Sequence, residues 1–134
     1  MKEDIDIPQV TNVRVAIGRH INELNQAEWQ VYLLNQNDHL ISNVLVSSKG
    51  YGEKEGEPQK TSVLRHYFEE IGPQTSAKIE PIHPDVFHLN NEYWVSYYHD
   101  GKVFDKKYIF LPDTIQEGNL LYIDMIETEG VLHS

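Results

Sequence analysis

Seven histidines, 21 acidic residues and no cysteine set the chemistry open to this 134-residue sequence. Without a thiol, disulfide scaffolds, cysteine nucleophiles and thiolate metal sites are excluded. A metal would need three or four nitrogen and oxygen ligands converging, usually with close pairs on one element. Of His20, His39, His66, His83, His88, His99 and His133, only His83 and His88 are near neighbours, with Asp85 between them in a proline-bounded stretch. A metal site of His83, Asp85 and His88, in a small metal-binding protein or enzyme, is the sharp reading of that spacing. The plain reading is histidines scattered beside surface turns, and His99 next to a turn reads as solvated.

Nucleophilic chemistry has less to stand on. Ser47, Ser48, Ser62, His66 and Asp105 are present, but no serine lies in a G-x-S-x-G elbow. Glu69-Glu70 and the Asp4/Asp6 pair are adjacent carboxylates of the kind that form a solvated face. Lys49-Gly50-Tyr51-Gly52 is glycine-rich without the G-x-x-x-x-G-K-[ST] frame of a phosphate loop. No catalytic residue and no cofactor is implied.

The elements that would position these residues follow a period of two, which predicts strands. Strands are predicted over 10–17, 29–34, 40–47, 61–68, 75–82, 93–98, 103–110 and 120–126. Residues 18–27 read as a polar connection, and Asn35-Gln36-Asn37-Asp38 as a turn that makes 40–47 the hairpin partner of 29–34. Val44-Leu45-Val46 is apolar on both faces and predicts a strand covered on both sides. Residues 48–60, rich in glycine and glutamate, predict a flexible exposed loop. A helix over 61–71 is the rival to the strand there, since Leu64, Phe68 and Ile71 are spaced by four and three. The stretch up to Asn91 reads as irregular after Pro81 and Pro84, and Val131 and Leu132 as packing beyond the last strand.

Asp100-Gly101 between two β-rich runs is the clearest local signal, because both central residues of a type I′ turn need positive φ. That turn pairs Tyr97 with Phe104, Val95 with Lys106 and Tyr93 with Tyr108. Tyr93, Val95, Tyr97, Phe104, Tyr108 and Phe110 then share a core face, and a slip of one residue would bury charges. Trp94 and Tyr98 fall on the opposite face with Lys107 and Asp105. Either another part of the chain covers them, with Lys107 stacked on Trp94, or they form a protein-interaction patch of Trp94, Tyr98 and Lys107.

Seven to eight short strands with no reliable helix predict an all-β fold, an immunoglobulin-like antiparallel β-sandwich occupying 1–134 as a single domain. The Cys–Trp–Cys mark of antibody domains is absent, so the likeness concerns architecture. At 40% hydrophobic and 24% charged, the composition is that of a folded domain. The net charge of −10 opposes phosphate backbones and anionic membranes, so neither nucleic acid nor membrane is an expected partner. No apolar run approaches membrane-spanning length, and a cytoplasmic address fits.

Several stretches together resemble a known family. They are Ile5-Asp6-Ile7-Pro8, residues 29–35, Val44 to Tyr51, Lys60-Thr61-Ser62 with Leu64-Arg65-His66, Ser76 to Glu80, Asn91-Glu92, and Lys106 to Phe110. The sequence resembles short bacterial all-β proteins that carry the name of a phenylalanyl-tRNA synthetase subunit. The resemblance implies a synthetase-related role as one alternative and transfers no catalytic residue. A class II synthetase core itself needs a large sheet with helices and motif arginines, which this sequence lacks. The expectation is therefore a non-enzymatic module that binds another protein or itself, with a homodimer as one form.

Overall fold

In the computed structural model, which describes residues 8–133, the two-residue period resolves into ten strands. They are β1 (Val13–Ile21), β2 (Ala27–Asn35), β3 (Ile41–Lys54), β4 (Glu57–Lys60), β5 (Leu64–Ile71), β6 (Thr75–Ile82), β7 (Asn90–His99), β8 (Lys102–Phe110), β9 (Leu121–Ile123) and β10 (Thr128–His133). Short 3-10 turns span Pro84–Val86, Glu117–Asn119 and Asp124–Ile126. Residues 5–7 of the family resemblance and the Asp4/Asp6 carboxylates lie outside the described residues.

The fold is all-β, built of two antiparallel sheets. The first has the order β6-β2-β1-β10-β9. In the second, β4 and β5 follow one another along one edge of β3, and β7 and then β8 lie on the other side. Val13, Val15 and Ile17 of β1 and Val31 and Leu33 of β2 meet Val44, Val46, Tyr93, Val95 and Tyr108 of the second sheet in the main core. Burial of these side chains is what holds the sheets face to face. A smaller cluster lies on the far side of the first sheet, where Ile123 and Ile126 cover Ala16, Tyr32 and Leu34.

The β7–β8 hairpin has the register expected of its turn, with Tyr97 opposite Phe104, Val95 opposite Lys106 and Tyr93 opposite Tyr108. Asp100 and Gly101 have φ of 53° and 74°, the positive pair that a type I′ turn requires. The 61–71 region forms a strand, not the rival helix, but it begins at Leu64 rather than Thr61 and runs on to Ile71.

Other expectations are corrected. Residues 48–60 are no loop: β3 continues to Lys54 and returns through Glu55 and Gly56 as β4. Small residues serve there because backbone pairing needs no large side chain. Gly50 exchanges hydrogen bonds with Thr61, its N–H donating to Oγ1 at 2.7 Å and its carbonyl accepting from Thr61 N at 2.9 Å. Nor is 18–27 all connection, since β1 runs to Ile21 and pairs with β2 through to Ala27. β3 is not the hairpin partner of β2; the chain crosses between sheets after Asn35, whose side-chain amide donates to the His39, Ile71 and Gly72 carbonyls. Leu45 is 41% exposed, so the Val44-Leu45-Val46 centre is covered on one face only. The strand over 120–126 is shortened to β9 and a 3-10 turn, and ten strands replace seven to eight.

Candidate functional site

Alternation along the second sheet sends one set of side chains away from the core, and the register arranges them in rows. Arg65, Ser47, Trp94 and Lys107 lie across one row, and Tyr67, Leu45, Ser96 and Asp105 across the next. Tyr98 and Val103 pair beside them. Five apolar or aromatic side chains on this face are open: Leu45, Tyr67, Trp94, Tyr98 and Val103, with Tyr67 60%, Trp94 45% and Tyr98 46% exposed. Lys107 Nζ stands 4.7 Å from the Trp94 ring centroid, and the Tyr67 hydroxyl donates to Asn43 Oδ1 at 2.6 Å. Asn43 has φ of 48° where the β3–β7 register shifts, a bulge that bends this end of the face. Trp94, Tyr98 and Lys107 thus lie on one open face, together with Leu45, Tyr67 and Val103. Leu45 and Tyr67 were legible as neighbours of Trp94 only once β5 and β3 were known to pair.

A polar cluster that sequence reasoning missed lies between the sheets. Glu80 of β6 accepts from the Ser48 hydroxyl at 2.8 Å and pairs through the same oxygen with His66 Nε2 at 2.7 Å. Burial, with the Glu80 carboxylate beside it, pushes the Tyr93 phenol well above its ordinary value. The adjoining cleft, of about 360 Å³, is lined by Ser62, Leu64, Pro81, Ile82 and Val86. In a serine–histidine–acid relay the imidazole stands between the other two groups. Here the carboxylate stands between serine and histidine, so His66 has no route to the Ser48 proton. The cluster ties β3 and β5 of one sheet to β6 of the other.

The histidines do not converge. His83 Nδ1 accepts from the Asp85 amide at 3.1 Å and lies 3.3 Å from Asp85 Oδ2, whereas His88 Nε2 meets Gln59 Oε1 at 2.7 Å. Among the described residues no three His, Asp or Glu side chains are gathered as a metal requires, so His83, Asp85 and His88 are not brought together as a ligand set. His99 is not simply solvated; its ring stacks on His39 with centroids 3.5 Å apart. A cleft of about 820 Å³ on the outer side of the first sheet is lined by His20, Glu28, Tyr32, Lys78 and His83 among others. Its charges are mixed, and His20 Nε2 is already engaged with the Tyr32 hydroxyl at 2.6 Å.

No family model matches the chain, and neither a curated protein nor a solved structure does. Among the described residues no helix is long and apolar enough to cross a membrane.

Proposed function

We propose that this chain is a non-enzymatic interaction module that binds another protein, or a second copy of itself, through the outer face of its second sheet. One contrast carries the reading. On the first sheet's outer face the apolar side chains Ala16, Tyr32 and Leu34 are covered by the chain's own Ile123 and Ile126, whereas Leu45, Tyr67, Trp94, Tyr98 and Val103 on the second are left in solvent. Contiguous exposed apolar side chains with a charged rim are the usual mark of a contact surface, and Trp and Tyr are favoured anchors there. Lys107, Asp105 and Arg65 supply that rim. The net charge of −10 directs the partner towards protein rather than nucleic acid.

The scaffold we read as immunoglobulin-like. In support, β1, β2 and β6 take the places of strands A, B and E, and β3, β7 and β8 those of C, F and G, with β10 and β9 added beyond β1. Capture from native lysate with tagged wild type and Trp94→Ala tests the function. A stoichiometric partner seated on this face should be retained by the wild type and lost by the variant while its circular dichroism is unchanged. Equal capture by both would remove Trp94 from the interface and the reading with it.

A further inference from the structure

We propose that β5 is the edge along which a second copy of this chain docks, antiparallel, about a two-fold axis at Tyr67. This goes beyond the reading above: it gives a second copy the edge of the same sheet and leaves the outer face to a partner. An unpaired edge strand presents backbone donors and acceptors to another chain unless something blunts it. Among the described residues the other edges are blunted. β9 has three residues, β6 contains Pro81 with no N–H to give, and β4 carries Pro58 and Lys60 within its four residues. β8 carries Lys102, Lys106 and Lys107, and self-pairing about its midpoint would set Lys106 against Lys106. β5 is eight residues long, contains neither proline nor lysine, and pairs with β3 alone.

Its outward side chains are Arg65, Tyr67 and Glu69, all exposed. That triplet is self-complementary. Antiparallel pairing centred on Tyr67 places Arg65 of each copy opposite Glu69 of the other, with the two Tyr67 rings facing across the axis. Opposite charges directly across a strand pair stabilise it, and like charges do the reverse. Moving the axis to Arg65 or Glu69 opposes like charges, and moving it to His66 or Phe68 leaves a charge opposite Tyr67. The register at Tyr67 is thus selected among its neighbours. A perpendicular two-fold also keeps outer face with outer face. The two second sheets would then form one continuous sheet, doubling the surface that carries Trp94 and Tyr98.

Sedimentation of the full chain across a concentration series tests the edge. Wild type should reach a dimer. Arg65→Glu alone and Glu69→Arg alone each oppose like charges twice, by symmetry, and should weaken it by at least about tenfold. An equimolar mixture of the two single variants restores both pairs and should dimerise, as should Arg65→Glu combined with Glu69→Arg. These side chains are exposed, and circular dichroism should be the same in every variant. A wild type that stays monomeric, or a dimer indifferent to both charge reversals, would overturn the proposal. Trp94→Ala separates the two claims, since it should leave the β5 dimer intact. If Trp94→Ala abolishes association and the charge reversals do nothing, the edge proposal fails and the face reading survives. If the charge pattern holds and Trp94→Ala loses no partner, the reverse is true.

Discussion

Replacing Glu80 by alanine removes the acceptor shared by Ser48 and His66 and leaves two polar groups between the sheets without it. We expect a loss of about 1–3 kcal/mol of folding stability, read by urea denaturation, with Glu80→Gln retaining part of it. Trp94→Ala should behave oppositely. Its ring is half in solvent, so the variant should keep its stability to within about 1 kcal/mol while binding weakens by about 2 kcal/mol, roughly thirtyfold. The two residues also differ in how far the sequence revealed them. The outward position of Trp94 follows from the Asp100-Gly101 turn, which fixes the register residue by residue. Glu80 was hidden because strict alternation puts it beside Lys78 on the outer face. The β2–β6 register shifts so that Tyr32 faces Lys78 while the preceding Val31 faces Glu80, and the skipped Ile79 marks a bulge that turns Glu80 inward. A bulge has no side-chain signature in an alternating pattern.

Among the strands, the closest backbone approach at a glycine joins β10 to β1. A Cβ added to Gly130 would lie 2.7 Å from the Ile17 carbonyl oxygen and 3.1 Å from Gly18 Cα, both backbone atoms that cannot swing aside. Gly130→Ala should therefore separate the pair and cost about 1–3 kcal/mol in a denaturation experiment. Gly118→Ala, where nothing lies within 4 Å, is the control and should have little effect. At this scale the sequence was a good guide to strands bounded by clear turn signals, such as 75–82 and 103–110, whose extents agree with β6 and β8 to a residue. It misled where pairing runs through small or polar residues. The β3–β4 hairpin pairs Tyr51, Gly52, Glu53 and Lys54 with Lys60, Gln59, Pro58 and Glu57, and its strands read as a loop because side-chain pattern and backbone pairing part company there. The partner of a strand was equally invisible: the Asn35–Asp38 turn signal is real, but Asn35 fixes a crossing between sheets, not a hairpin.

For the molecule as a whole, three core tyrosines on β7 and β8 couple folding to alkaline pH. Burial pushes the Tyr97 phenol up to about 12 and raises Tyr93 and Tyr108 further. A phenol whose folded value lies above its unfolded value of about 10 favours the fold fully below pH 10 and loses that contribution as pH rises through the folded value. Stability should therefore be level up to about pH 10 and fall beyond it, as followed by denaturant midpoints, with Tyr97→Phe reducing the slope between pH 10 and about 12. The same packing leaves the sandwich asymmetric, with the apolar side chains of one outer face under Ile123 and Ile126 and those of the other bare. That asymmetry is the ground for reading the chain as an interaction module, and the accessibility of Trp94 tests it most directly. In a Trp29→Phe chain Trp94 is the single indole, and acrylamide quenching of its emission can be compared between the isolated protein and the complex captured from lysate. Strong quenching when free and marked protection in the complex is the expected result. A complex in which Trp94 is quenched as readily as in the free chain, or the absence of any complex, would contradict the account.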